Sequence, residues 1–505
     1  MPYPAHIRRK TARWLHSRLF VIAVLIALQI LLIFALNDLV SGMNFLLRLL
    51  SFALVLWILA QRDNASYKIS WILLILLFPL PGSLFYLIFG NKRMGKGMKQ
   101  QLDSFGGFGK TSGEDIETAA LSDGEKRQAR CLLNCAGAKL YGGTHSEYFS
   151  GGELLFHRLL QELEKAEHFI LLEYFIIDEG ALWNSVFEIL EKKSQEGVEI
   201  RILGDDAGCI TTLPTDFGEK LKAKGIDFLL FNPLQPRLNT FLNYRDHRKI
   251  AVIDGKTAFI GGANLADEYV NLQERHGHWK DTGLLLQGSA VEKLTELFLQ
   301  LWQFSSGKEE DFSRFSCTEC CETDGFVQPF GSDPVHAVQA AKIACLQLCS
   351  RSTESLYLTT PYLVLDDESL CALQTAALSG VDVRIITPRI GDKWYVQAVT
   401  RSFYLPLLEA GVRIFEYTPG FFHGKMMISD RKQAIIGSIN LDFRSFYLQF
   451  ECGALLYHCS AIQDMTADFL AAEEISQEIT AETIKNTPLL LRFLRSILRI
   501  ISPLL

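Results

Sequence analysis

Two stretches of this sequence carry the same polar residues at the same spacing, and that repetition calls for a fold built twice. Tyr244-Arg-Asp-His247-Arg-Lys249-Ile-Ala-Val-Ile-Asp254 runs on to Gly261-Gly262 and Asn264. Phe422-His423-Gly-Lys425-Met-Met-Ile-Ser-Asp430 runs on in step to Gly437-Ser438 and Asn440. The surroundings repeat in the same order. A helix at Leu160–Ala166 leads into a strand at His168–Ile177, and Gln339–Cys349 leads in the same way into Ser355–Leu365. Val198-Glu-Ile-Arg-Ile-Leu203 is echoed by Val381-Asp-Val-Arg-Ile-Ile386, and Gly225-Ile-Asp-Phe-Leu229 by Gly411-Val-Arg-Ile-Phe415. β-branched runs alternating with amphipathic helices predict an α/β fold. The expected architecture is two pseudo-twofold halves, each a mixed sheet with flanking helices, meeting between Gly307 and Asp333.

The chemistry follows from the residue types. Alternation around each motif reads as a strand, so His and Lys at i and i+2 share a face. Two such strands brought together would set His247, His423, Lys249 and Lys425 around one cavity, with Asn264 and Asn440 as neutral donors and Ser438 beside them. That set suits a tetrahedral phosphoryl group and needs no metal or other cofactor, since the lysines supply positive charge. One imidazole can attack phosphorus while the other donates a proton to the leaving alkoxide. Fixed tautomers require a carboxylate on each far nitrogen. Aligning Asp281-Thr-Gly-Leu-Leu-Leu with Glu451-Cys-Gly-Ala-Leu-Leu supplies one acid per half, Asp281 and Glu451. Asp254 and Asp430, at strand–turn boundaries, are expected to hold the motif loops.

The first ninety residues are of another kind. Leu19–Leu36 is apolar but for Gln29, follows Arg8, Arg9, Lys10, Arg13 and Arg18, and predicts an uncleaved anchor. Phe45–Ala60 predicts a second span. Ile69–Phe89 is broken by Pro79-Leu80-Pro81-Gly82 and reads as a hairpin or a third span. Basic residues before Leu19 and at Lys92, Arg93, Lys96 and Lys99 favour an even number of crossings. Leu489–Leu505 places Arg492, Arg495 and Arg499 on one helical face and apolar residues on the other, as in helices that lie in a headgroup layer. The expected division is a membrane part at 1–97, a linker at 98–130 containing Gly106-Gly107-Phe108-Gly109 and Thr111–Glu117, halves at 131–310 and 311–487, and a membrane-contacting tail at 488–505. The eleven cysteines lack a disulfide spacing and fit a reducing compartment, which puts the catalytic part on the cytoplasmic face. Cys317, Cys320 and Cys321 have no second ligand pair at zinc spacing. Net charge is −7 and the sequence pI about 5.9, which argues against a nucleic-acid partner.

The stretch from Asn243 to Tyr269, Trp279-Lys280-Asp281-Thr282, the segment Lys68–Gly90 and the terminal Ser502-Pro503-Leu504-Leu505 resemble the phospholipase D superfamily, and within it the bacterial cardiolipin synthases. The resemblance covers nearly the whole chain; the Cys317–Cys321 region and the extra amino-terminal span are its less typical parts. It implies a duplicated phospholipase D-type fold, a multi-pass cell-membrane protein, and His247, Lys249, Asp254, His423, Lys425 and Asp430 as the catalytic motif. It implies transfer of a phosphatidyl group from one phosphatidylglycerol to another among anionic membrane lipids, through a phosphohistidine. His247 would be the nucleophile and His423 the acid, an assignment the residues themselves leave open. A hydrolytic phospholipase D, a transferase to another alcohol and a superfamily nuclease are the rival readings.

Overall fold

The computed structural model describes residues 18–39, 44–61, 63–90, 95–104, 120–235, 243–315, 321–322 and 324–504. Outside these lie the basic cluster from Arg8 to Arg13, Lys92 and Arg93, the glycine-rich and polar runs of the expected linker, Cys317, Cys320 and Leu505.

The alternating runs become strands. In the first half β1 (Thr144–Phe149), β2 (Phe169–Tyr174), β3 (Glu199–Asp205), β4 (Asp227–Phe231), β6 (Lys249–Ile253), β7 (Thr257–Gly261) and β9 (Gly283–Gly288) form one sheet in the order β1-β9-β7-β6-β2-β3-β4, with β5 (Arg245–Asp246) and β8 (His278–Lys280) outside it. The second half contributes β10 (Phe326–Ser332), β11 (Ser355–Thr359), β12 (Asp382–Pro388), β13 (Arg413–Tyr417), β15 (Met426–Ser429), β16 (Gln433–Gly437), β17 (Gln449–Tyr457) and β18 (Ser476–Ile479), with β14 (Gly420–Phe422) outside. Their order, β10-β17-β16-β15-β11-β12-β13-β18, repeats the first and adds one edge strand. In each sheet three parallel strands meet an antiparallel meander, the mixed α/β architecture that the echoes predict.

Both faces of each sheet are covered. Along β2, Phe169 and Leu171 enter a central core, whereas Ile170, Leu172 and Tyr174 enter an outer core of the first half. Along β11, Tyr357 enters the central core and Leu356 and Leu358 the outer core of the second. The helices Val291–Ser306 and Ala461–Glu474 fill the space between the sheets, so the central core belongs to both halves. Truncating Leu171 to Ala there would cost about 2–5 kcal/mol. The helix Asp123–Ala136 starts from a Ser122/Glu125 capping box and buries Ala129, Leu132 and Leu133 against the second half. Its amphipathic face, rather than its place in sequence, decides where it docks, and the expected boundary at 131 falls inside it.

Near the amino terminus the segment from Ile69 does not continue as one helix. The helix Ala65–Leu77 stops at Phe78, and Pro79–Phe85 begins with proline in its first turn. A Cβ on Gly82 would meet the Leu74 carbonyl oxygen at 2.6 Å, so the close return needs glycine. Among the described residues no helix is long and apolar enough to cross a membrane. The two spans expected at Leu19–Leu36 and Phe45–Ala60 are therefore without support there; Asn44–Ala60 has 17 residues against the roughly 20 that a span needs. The helices instead carry outward apolar side chains, among them Leu31, Leu50, Phe52, Leu76 and Leu77.

The tail helix Leu489–Ile501 has no buried residue and exposes Leu489, Leu490, Phe493, Ile497 and Ile500. Arg499 turns inward, its guanidinium 4.2 Å from the Phe403 ring centroid. Ser70 Oγ donates to the Ile500 carbonyl at 2.6 Å, which joins the tail to the amino-terminal helices.

Candidate active site

Each motif histidine lies where a short strand of one half is held by the other. β5 runs parallel to the start of β17, with Arg245 opposite Gln449, and the His247 N–H donates to the Phe450 carbonyl at 2.9 Å. β14 runs parallel to β8, and the His423 N–H donates to the Lys280 carbonyl at 2.6 Å. These two exchanges bring each imidazole to a carboxylate from the opposite half. His247 Nδ1 lies 3.0 and 3.2 Å from the two carboxylate oxygens of Glu451, and His423 Nδ1 lies 2.7 Å from Asp281 Oδ2. Alignment finds one acid per half; the fold crosses them over. With Nδ1 engaged, Nε2 is the ring nitrogen left for chemistry.

Both carboxylates are fully buried. Glu451 accepts hydrogen bonds from Ser438 Oγ and Ser445 Oγ. Asp281 accepts from its neighbour Thr282 N–H at 2.9 Å and from the Trp279 indole at 3.4 Å. The first half has Gly262 where the second has Ser438, and a Cβ there would fall 2.2 Å from Asp281 Oδ1. A glycine on one side and a serine on the other thus match a short acid and a long one.

His247, His423, Asn264 and Asn440 line one cavity of about 560 Å³. Asn264 uses its amide within the protein, accepting from Ile176 N–H at 3.1 Å and donating to the Tyr269 hydroxyl at 2.7 Å. Among the described residues Asn440 Oδ1 is buried with no hydrogen-bond partner. The lysines are not on the cavity wall. Lys249 Nζ donates to the His247 carbonyl at 2.5 Å; Lys425 Nζ donates to the His423 carbonyl at 2.5 Å and lies 3.1 Å from both nitrogens of that ring. The strand alternation expected through the motif is interrupted, since β5 ends at Asp246 and β6 begins at Lys249. The chain turns at the histidine, and the ammonium groups come to lie behind the rings.

Asp254 and Asp430 also lie off the cavity. Asp254 accepts from Glu167, His168 and Phe169 N–H, each at 2.8 Å, and Asp430 accepts from Thr353, Glu354 and Ser355 N–H. Both have positive φ, 52° and 51°, which aspartate tolerates better than most side chains. Each joins its motif turn to the start of the central strand of its own sheet.

Burial sets the ionisation pattern. It lowers His423 to about 4, reinforced by Lys425, and drives His247 well below its ordinary value, reinforced by Lys249 and Lys425. It lowers Lys249 to about 8 and Lys425 to about 7. The carboxylates diverge. Burial pushes Glu451 up to about 8 against Lys249 and the two serine hydroxyls. Burial would also raise Asp281, but His423 and Lys425 outweigh it and hold that carboxyl below its usual range. Among the described residues no cluster of His, Cys, Asp and Glu is arranged to hold a metal.

A family model described as cardiolipin synthase, PLD-like domain, matches residues 159–302 and 345–472, one match for each half. A second, the phospholipase D-nuclease N-terminal model, matches 49–91. The chain belongs to the cardiolipin synthase branch of the phospholipase D-like proteins. It is 35% identical over 486 residues to a cardiolipin synthase of a Geobacillus species, covering 93% of this chain and 95% of that one. To a cardiolipin synthase of Alkalihalophilus pseudofirmus it is 35% identical over 454 residues, covering 88% and 90%. In fold it is similar to the phosphatidylserine synthase of Haemophilus influenzae, with a TM-score of 0.60 at 13% identity over 76% of this chain and all of that one.

The cavity also contains residues that the motif search passes over: Phe175, Arg245, Tyr269, Trp279, Arg444, Gln449 and Ser502. Residues that recur in both halves stand out in the sequence, and these do not recur: Phe175, Arg245, Tyr269, Trp279, Arg444 and Gln449 differ from their counterparts. Ser502 comes from the tail, whose sequence says nothing about a distant cavity.

Proposed function

We propose that this chain is a phosphatidyltransferase that joins two phosphatidylglycerol molecules into cardiolipin and releases glycerol. His247 Nε2 attacks the phosphorus of the first lipid and forms a P–N bond. The bond to the glycerol oxygen breaks, and His423, which takes up a proton when the anionic phosphodiester binds beside it, gives that proton to the oxygen. The terminal hydroxyl of the second lipid then loses its proton to His423 and attacks phosphorus, and the P–N bond breaks to free His247. The crossed pairing of each imidazole with a carboxylate of the other half, beside one shared cavity, carries this reading. The contrast between the carboxyls gives the order: Asp281, held anionic, suits a histidine that must become an imidazolium, and Glu451, pushed up by burial, suits one that attacks as the neutral base. Lys249 and Lys425 supply the nearby positive charge, Asn264 and Asn440 border the reacting group, and Asp254 and Asp430 brace the two turns.

The substrates fit a membrane setting. The exposed apolar side chains of the amino-terminal and tail helices lie on elements that touch each other, and Ser502, at the end of the tail, lines the cavity. We place the segment up to residue 97 in the cell membrane, the tail 488–505 on its surface, and the two halves, 131–310 and 311–487 after a linker, on the cytoplasmic side; the cysteines among the described residues are free thiols.

Purified enzyme in mixed micelles with labelled phosphatidylglycerol and no divalent metal tests the reading. Cardiolipin and glycerol in equal amounts are expected. Phosphatidic acid as the sole lipid product would make the chain a hydrolase.

A further inference from the structure

The duplication gives the residues around the two motifs counterparts, and the counterparts need not be alike. Arg245, two residues before His247, corresponds to Phe421 before His423. Arg444, four after Asn440, corresponds to Glu268, four after Asn264, and Gln449 corresponds to Trp279. All but Phe421 line the cavity, and Phe421 packs 5.8 Å from the His423 ring. One end of the cavity therefore presents Arg245, Arg444 and Gln449. The other presents Trp279, Tyr269 and a Glu268 already paired with Arg275 at 2.8 Å.

The two arginines come from different halves and reach the same wall. Arg245 is buried, its guanidinium steadied by Asp205 Oδ1 at 3.3 Å and the Asn232 carbonyl at 3.0 Å. Each guanidinium has a carboxylate near it that is shared with the backbone: Asp442, which acts on Arg444, also accepts from Ser445 N–H at 2.7 Å, and Asp205, paired with Arg245, also accepts from Asp246 N–H at 2.9 Å and Ala207 N–H at 2.8 Å. Burial, and after it the charge of Arg245, holds Arg444 below its usual value, which places the two guanidinium groups near each other on this wall. Two like charges so placed favour an anion between them, and the planar fork of arginine matches a phosphodiester.

The donor lipid has one phosphate, and it is the one that reacts. An acceptor phosphatidylglycerol brings a second, three carbons from the attacking hydroxyl. We propose that Arg245 and Arg444 bind this non-reacting phosphodiester and so select a phospholipid alcohol over water or a neutral alcohol as acceptor. The proposal rests on the transfer reading above.

The test uses full-length enzyme in phosphatidylglycerol micelles with radiolabelled glycerol. Exchange of glycerol into phosphatidylglycerol reports transfer to a neutral acceptor, and cardiolipin reports transfer to an anionic one. In Arg444→Gln the ratio of cardiolipin formed to glycerol exchanged should fall about tenfold or more, through a higher KM for the lipid acceptor. Arg245→Gln should lower the same ratio, and Arg444→Lys should restore part of it. An equal loss of both products in Arg444→Gln would mean that the guanidinium serves the reacting phosphate or the fold, and would overturn the proposal, as would an unchanged ratio. Wild-type enzyme that exchanges glycerol but makes no cardiolipin would instead remove the functional reading underneath, whereas a lowered ratio in a variant, beside a wild type that makes cardiolipin, bears on the arginines alone.

Discussion

The two half-sites share a histidine, a lysine, an asparagine and a bracing aspartate, yet differ in nearly everything that touches them. His423 is backed by the short Asp281 and enclosed by Tyr269, Trp279 and Phe421, with ring centroids 5.4, 5.2 and 5.8 Å away. His247 is backed by the longer Glu451 with two serine hydroxyls on it, and meets Phe175, whose ring centroid lies 5.4 Å away. Between histidine and lysine the first motif has Arg248, fully buried and donating to the Glu451 and Leu297 carbonyls at 3.3 and 3.0 Å. The second has Gly424, where a Cβ would meet Thr282 Cγ2 at 2.6 Å. A duplicated scaffold can thus keep one reacting centre symmetric while two environments give its halves different work.

The strongest way to break this contrast is to remove either ring. His247→Ala and His423→Ala should each reduce cardiolipin formation by about 10⁴-fold or more. A phosphatidyl donor with a p-nitrophenyl leaving group, which needs no proton, should separate them: His423→Ala should give a burst of p-nitrophenol and His247→Ala none. A burst from His247→Ala alone would reverse the assigned roles.

The carboxylates come next. Asp281→Asn should cost on the order of 10²–10³-fold in kcat, since it removes a charge that steadies an imidazolium. Glu451→Gln should cost only about tenfold, because at neutral pH a carboxyl raised to about 8 is already largely protonated. Equal losses would mean that the two acids do the same work.

The bracing aspartates should behave alike where the histidines differ. Asp254→Ala removes a buried carboxylate from three backbone donors and should destabilise by about 2–4 kcal/mol in denaturant unfolding. Its kcat, measured at low temperature on the folded fraction, should fall much less than for Asp281→Asn.

The smallest effect is on pH stability. Between pH 6.5 and about 4 the unfolded chain protonates its imidazoles while buried His423 and His247 stay neutral. The unfolded state binds more protons there, so stability falls as pH falls through that window. His336, raised by Asp333 and Asp103 against its burial, has the opposite sign, contributing stability below 6.5 that is lost as pH rises through its folded value. Scanning calorimetry should show a Tm that drops a few degrees less steeply in a His247→Asn/His423→Asn variant than in the wild type.

Much of the fold was readable in advance because repetition leaves marks that local chemistry preserves. Strands β2, β3 and β4 and their partners β11, β12 and β13 fall on the echoed runs, since each is a short apolar stretch bounded by turn residues. The lysine geometry was not readable, because nothing local announces that the chain turns at His247. The docking of the helix Asp123–Ala136 on the second half was not readable either, because an amphipathic face names no partner. Arg245 and Arg444 escaped because a search for what recurs discards what makes the halves unequal.

Residue type and spacing by themselves determined that this protein is built from two similar halves with a histidine, a lysine and a carboxylate in each, since those depend only on the order of residues along the chain. Only the tertiary structure decided that Glu451 serves His247 and Asp281 serves His423. That pairing depends on two short strands crossing between sheets, and contacts between residues so far apart in sequence are made by packing, which no local pattern encodes.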